Sequence, residues 1–154
     1  MSFVENRLKE LGYVLPEAKA PLYSYVPITQ YENLLFISGQ LPRVNGKLKW
    51  EGKVGESVTV EEAQEASVLC IINALAQIKN YAGSLDCIEK IIQLRGFVNS
   101  ASGFNKQPSV IDGASNFLLA LLDEKGKHAR TAIGVSELPK DSSVEIDMIV
   151  QIKK

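Results

Sequence analysis

Arg130 is the residue whose type and setting most suggest chemistry. It opens the alternating stretch Arg130 to Val135 and shares a strand face with Ala132 and Gly134. Two small residues beside a long guanidinium leave room for a ligand, and the planar fork of an arginine suits a carboxylate. The same residue can instead snorkel, or pair with Glu145 or Asp147 on the terminal strand. Glu145 lies on the polar face of that strand. Near an arginine-bound substrate its carboxylate could orient a water or exchange a proton; otherwise it faces solvent. The length of the intervening turn leaves the register open, so Asp147 competes for the same role. Ser38-Gly39-Gln40 ends an earlier strand, where a hydroxyl and an open backbone amide can face a ligand or simply make a turn. Tyr23 and Tyr25 alternate in a short extended segment that suits an interface or a core edge.

What the sequence lacks narrows the field. It has neither a phosphate-binding P-loop nor a dinucleotide Gly-x-Gly-x-x-Gly. His128 is the single histidine, which excludes a His-rich metal site. A Ser-His-Asp triad could use only His128, and no Gly-x-Ser-x-Gly elbow accompanies it. His128 therefore reads as a surface residue on the approach to a strand. Cys70 and Cys87, both among apolar neighbours, make neither a disulfide framework nor a zinc pattern. They read as small buried hydrophobes in a reducing compartment. The net charge of −1 gives no general pull toward nucleic acid or anionic membrane, so an acidic substrate needs a local positive group. Glu5, Arg7, Lys9 and Glu10 interrupt any signal layout at the N-terminus. No run approaches the roughly 20 apolar residues of a membrane span. The expectation is a cytoplasmic protein.

The elements that must hold these residues can be placed by pattern. The 154 residues, 45% hydrophobic and 23% charged, fit one globular domain. Phe3, Val4, Leu8 and Leu11 are spaced for a short amphipathic helix ending at Gly12. Pro16, Pro21 and Pro27 enforce extended or turn structure. Leu34 to Gly39 reads as a buried strand and Asn45-Gly46 as a turn that suits a hairpin. Thr59-Val60-Glu61-Glu62 is a capping box for a broadly buried helix ending near Gly83. Ile91 to Val98 reads as a strand. Pro108 begins a second helix that runs to about Asp123, with Val110, Ala114, Phe117, Leu118, Leu121 and Leu122 on its apolar face. Arg130 to Val135 and Val144 to Ile152 alternate as strands, joined through Leu138-Pro139-Lys140-Asp141. This order suits an α+β fold, a mixed sheet with two helices on one face. The other face keeps apolar positions such as Ile149, which oligomerisation commonly covers.

Ala129-Arg130-Thr131-Ala132-Ile133-Gly134-Val135-Ser136-Glu137-Leu138-Pro139, followed by an alternating strand with an internal Glu145, resembles the Rid (YjgF) family of reactive intermediate deaminases. So does Leu35-Phe36-Ile37-Ser38-Gly39-Gln40-Leu41-Pro42. The resemblance covers about residues 20–152, leaving 1–19 as an N-terminal extension, partly helical. Those residues, with Gly113-Ala114-Ser115 and His128-Ala129-Arg130, are similar to a longer branch of the family. The resemblance implies a chorismate mutase-like fold with a six-stranded sheet. It implies homotrimers with ligand clefts between subunits, and hydrolysis of imines and enamines to 2-oxo acids and ammonia without metal or organic cofactor. Arg130 then matches the residue that grips the substrate carboxylate, and Glu145 the one that holds the attacking water. Ser38, Gly39 and Tyr25 match the cleft lining. Ala132 stands where many deaminating members have a cysteine, and Ser102 stands nearest a frequent asparagine. A trimer that binds a small acid without turnover is the alternative. RNA cleavage, named for some relatives, sits poorly with dispersed Lys and Arg, so no nucleic acid partner is expected.

Overall fold

The computed structural model describes residues 2–154. The chain opens with helix α1 (Phe3–Glu10) and strands β1 (Ile28–Tyr31), β2 (Leu34–Gln40), β3 (Arg43–Val44) and β4 (Lys47–Leu48). Helix α2 (Val60–Ala82), strand β5 (Ile88–Asn99), helix α3 (Gln107–Leu122) and strands β6 (Ala129–Val135) and β7 (Val144–Ile152) follow.

The helix boundaries follow from local chemistry. Thr59 accepts from the Glu62 amide while the Glu62 carboxylate accepts from the Thr59 amide, and Gly83 closes α2 in the left-handed conformation. Pro108 sits in the first turn of α3. Helix α1 takes its start from far away. Ser2 accepts from the Glu5 amide, and the Asp86 carboxylate accepts from the Phe3 and Val4 amides at 3.0 and 2.9 Å. Those bonds hold the Asp86 carboxyl below the usual carboxylate range.

The main sheet has the order β1-β2-β7-β5-β6. β5 and β6 are parallel, with α3 as their crossover, and the other pairs are antiparallel. The resemblance implies six strands in one sheet, but the main sheet has five. β3 and β4 are two residues each and close only on each other across Asn45-Gly46. α2 and α3 cover one face, as the element order implies. Leu35, Ile37, Ile91, Leu94, Val98, Val144, Ile146, Met148 and Val150 are buried on that side. The two helices approach so closely at Gly113 that a Cβ there would press on the Gln64 carbonyl and the Ser67 hydroxyl. By strand alternation, Phe36, Phe97, Glu145, Asp147 and Ile149 look out on the open face. There Phe36 and Ile133 keep 40% and 44% of their surface exposed. Cys70 is buried, Cys87 half-buried, and neither is bonded to the other.

Candidate functional site

Arg130 lies near the start of β6, the edge strand, opposite Leu94 of β5. Its side chain points to the helix-covered side. Nη1 donates to Asp112 Oδ1 at 2.7 Å and to Ser115 Oγ at 3.2 Å, and Nη2 lies 3.5 Å from the Pro108 carbonyl. Its acidic partner is thus on α3 and not on the terminal strand. Both carboxylates of the last strand are out of reach because they project from the opposite face of the sheet. Ala132 and Gly134 follow Arg130 on its own face. Ala132 packs against the core, and Gly134 lies beneath the Gln107 amide and the Ser100 hydroxyl.

His128 is half-buried rather than a surface residue. Its Nδ1 is 2.6 Å from the Gly126 carbonyl and its Nε2 is 2.9 Å from Ser115 Oγ. Packing of α3 over β6 draws the ring inward. Asp112 and Ser115 are the polar partners of Arg130, and His128 the partner of Ser115, that single residues did not reveal. The signal for them is spacing. Asp112 and Ser115 are three apart on one helix and share a face. His128 and Arg130 are two apart in extended chain and do the same.

Glu145 sits opposite Phe97 on β7. No hydrogen bond or ion pair holds its carboxylate among the described residues. Burial, with the negative charge of Asp147 in support, pushes its carboxyl above the ordinary range. β2 has a bulge between Ile37 and Gln40, and Gly39 lies within it. A Cβ at Gly39 would overlap Glu145 Oε1. Glycine is what lets this carboxylate lie against the β2 backbone. Asp147, the competitor, is committed elsewhere: Arg95 donates to it from Nε at 2.8 Å and Nη2 at 2.6 Å. Ser38 donates to the Val26 carbonyl at 2.8 Å. That contact ties β2 to the segment of Tyr25, which is half-exposed. Ser102 is exposed in the loop after β5.

The candidates therefore form two groups. Glu145 and Gly39 meet on the open face; Ser38 adjoins Gly39, and its bond to the Val26 carbonyl brings the segment of Tyr25 beside it. Arg130 and Ala132 line the other side at the β6 edge. The strands of Glu145 and Arg130 are separated only by β5, but the side chains diverge. Among the described residues no cluster of three or more potential metal ligands converges. No helix there is long and apolar enough to cross a membrane.

A mixed sheet carrying two helices on one face, an arginine at its parallel edge and a carboxylate on its bare face define a YjgF-type protein. The family model described as "YjgF/chorismate mutase-like, putative endoribonuclease" matches residues 5–151, and the chain belongs to that family. Among solved structures it is similar to Atu1372 of Agrobacterium tumefaciens, a protein of unknown function. Identity is 49% over 97% of this chain and 92% of that one, with a TM-score of 0.91. A Shewanella oneidensis protein described in endoribonuclease terms is 34% identical, covering 98% and 100% of the two chains, with a TM-score of 0.94. Among characterised sequences, protein TCP17 of Trypanosoma cruzi is 37% identical over 97% of this chain and 94% of its own length.

Proposed function

We propose that this protein hydrolyses reactive 2-imino acids and their enamine tautomers to 2-oxo acids and ammonia, at a site built between copies of the chain. The observation that carries the reading is Glu145: a half-buried carboxylate, unpaired among the described residues and biased toward its neutral form, set against a glycine that leaves space beside it. A group so biased can accept a proton from water and return it within one turnover. Arg130 supplies the grip, since a guanidinium braced on Asp112 can take a substrate carboxylate. Membership of the YjgF family, with both Arg130 and Glu145 present, supports the same chemistry.

The reaction is balanced without a cofactor. Arg130 holds the carboxylate, and Glu145 accepts a proton from water as its oxygen bonds to the imine carbon. Glu145 passes that proton to the imine nitrogen, giving a carbinolamine. It then takes the carbinolamine hydroxyl proton and delivers it to the amine nitrogen, so ammonia leaves as the C–N bond breaks and the C=O of the 2-oxo acid forms. Because Arg130 and Glu145 face opposite sides of one sheet, a substrate touching both lies between two copies. A homotrimer with its sheets turned inward would also cover Phe36, Ile133 and Ile149. Ser38, Gly39, Ala132, Tyr25 and Ser102 line the cleft in this reading. The unbonded cysteines suit the reducing cytoplasm.

A second reading, capture of a small acid without turnover, is favoured by one fact: the Arg130 brace is complete within a single copy. Ammonia release from 2-imino acids generated by an amino-acid oxidase separates the two. Wild type should accelerate release, and Arg130→Ala should lose about 10²–10³-fold in kcat/KM. No acceleration across aliphatic, acidic and aromatic imines would leave only binding.

A further inference from the structure

The hydrogen bonds around Arg130 form one continuous chain that the proposed reaction does not use. The Gly126 carbonyl can only accept, so His128 Nδ1, 2.6 Å away, carries the proton. In the neutral ring Nε2 is then an acceptor, and the Ser115 hydroxyl, 2.9 Å away, donates to it. That fixes the Ser115 rotor. Its oxygen lone pairs are turned toward Arg130, whose Nη1 donates to them at 3.2 Å. The second Nη1 proton goes to Asp112 at 2.7 Å. Both Nη1 protons are thereby occupied on the α3 side. The Nε–Nη2 edge is engaged only by the long contact of Nη2 to the Pro108 carbonyl. A guanidinium offers a carboxylate two parallel N–H groups along that edge.

We infer that Ser115 and His128 are positioning residues that set the direction of the Arg130 guanidinium, and so the affinity for the carboxylate of the substrate. The inference rests on the reading of Arg130 as the carboxylate grip. Asp112 alone would leave the guanidinium free to pivot about one ion pair whose carboxylate is 54% exposed. Ser115 adds the second point that stops the pivot, and His128 keeps the hydroxyl oriented for it. Loss of orientation acts on binding more than on the chemical step, because Glu145 and the water lie on another element.

The test uses the full-length protein and two readouts. Imine hydrolysis gives kcat and KM, and calorimetry gives the affinity for a 2-oxo acid such as pyruvate. Ser115→Ala and His128→Phe should each raise KM, and weaken pyruvate binding, about tenfold with kcat held within about twofold. His128→Gln keeps an acceptor toward Ser115 and should recover most of the loss. The double variant should be no worse than Ser115→Ala, since both act through one hydroxyl. A lower Tm in Ser115→Ala or His128→Phe with KM and pyruvate affinity unchanged would reduce the pair to a helix–strand tie and overturn the inference. If wild type shows no turnover, the deaminase reading fails. Pyruvate binding that is lost in Arg130→Ala and weakened in Ser115→Ala then still supports the positioning role. Binding indifferent to Arg130, or no binding at all, overturns both.

Discussion

The two faces of the sheet are written in the same strands, residue by alternate residue, yet they obey different rules. Under α2 and α3 the central strands present apolar, closed positions. Leu94, Ile146 and Val150 have at most traces of exposed surface, and the helices meet tightly enough to require Gly113. On the other face Phe36, Phe97 and Ile149 alternate with Glu145 and with the Arg95–Asp147 ion pair. The first face is what folding energy comes from. The second carries a carboxylate that the fold disfavours in its charged form, and apolar groups left without a cover. The contrast separates stability from chemistry. It also shows why Arg130 sits at the edge: only there can a residue of the covered side reach solvent.

The largest effect expected from breaking this division is at Glu145. Glu145→Gln should cut kcat/KM by about 10²–10⁴ and at the same time raise Tm by about 2 °C near pH 8. The sign follows from linkage. With its folded pKa raised, the glutamate binds its proton more tightly in the folded state, so stability falls as pH rises through that pKa. The gain from glutamine should therefore vanish on acidification. In wild type, activity should fall with pH at an inflection above the ordinary glutamate value of about 4.3.

A paired truncation comes next. Leu94→Ala, under the helices, should cost about 2–5 kcal/mol by chemical denaturation. Ile149→Ala, on the bare face, should cost the single copy far less but raise the protein concentration at which copies dissociate, read by sedimentation. Unchanged association in Ile149→Ala would mean that the open face is not an interface. The smallest effect is at Arg95. The ion pair with Asp147 is half-exposed, so Arg95→Ala should change stability by less than about 1 kcal/mol. It should still move the acid limb of the activity profile upward, because the unbalanced Asp147 charge raises the Glu145 carboxyl further.

Much of the fold is legible in the sequence where one physical signal dominates. The Thr59–Glu62 box, Pro108 and the alternation of Val144 to Ile152 each mark their element. β1 escapes because only Ile28 of its four residues is buried, which leaves no period to read. β5 is longer than the Ile91 to Val98 run. Register shifts between Ile88 and Lys90 and between Ile91 and Gln93 disrupt its alternation. At the site, the face that Arg130 shares with Ala132 and Gly134 is readable from alternation alone. Its partner is not. Asp112 reaches it only because the crossover lays α3 across the parallel pair, and that is a property of tertiary packing. The choice between Glu145 and Asp147 likewise needed the register with Arg95 and the glycine on β2.

The tether of α1 sets an order of events. An eight-residue helix is shorter than the roughly 12–15 residues that hold together unaided in water. Its anchors all come from later in the chain: Asp86 for the first amides, Lys79 for Glu5 and Asp123 for Arg7. A chain emerging from the ribosome therefore releases this segment before the residues it docks on. Its anchors are complete only once Lys79, Asp86 and Asp123 are in place, so a segment made before its anchors is late in acquiring its shape.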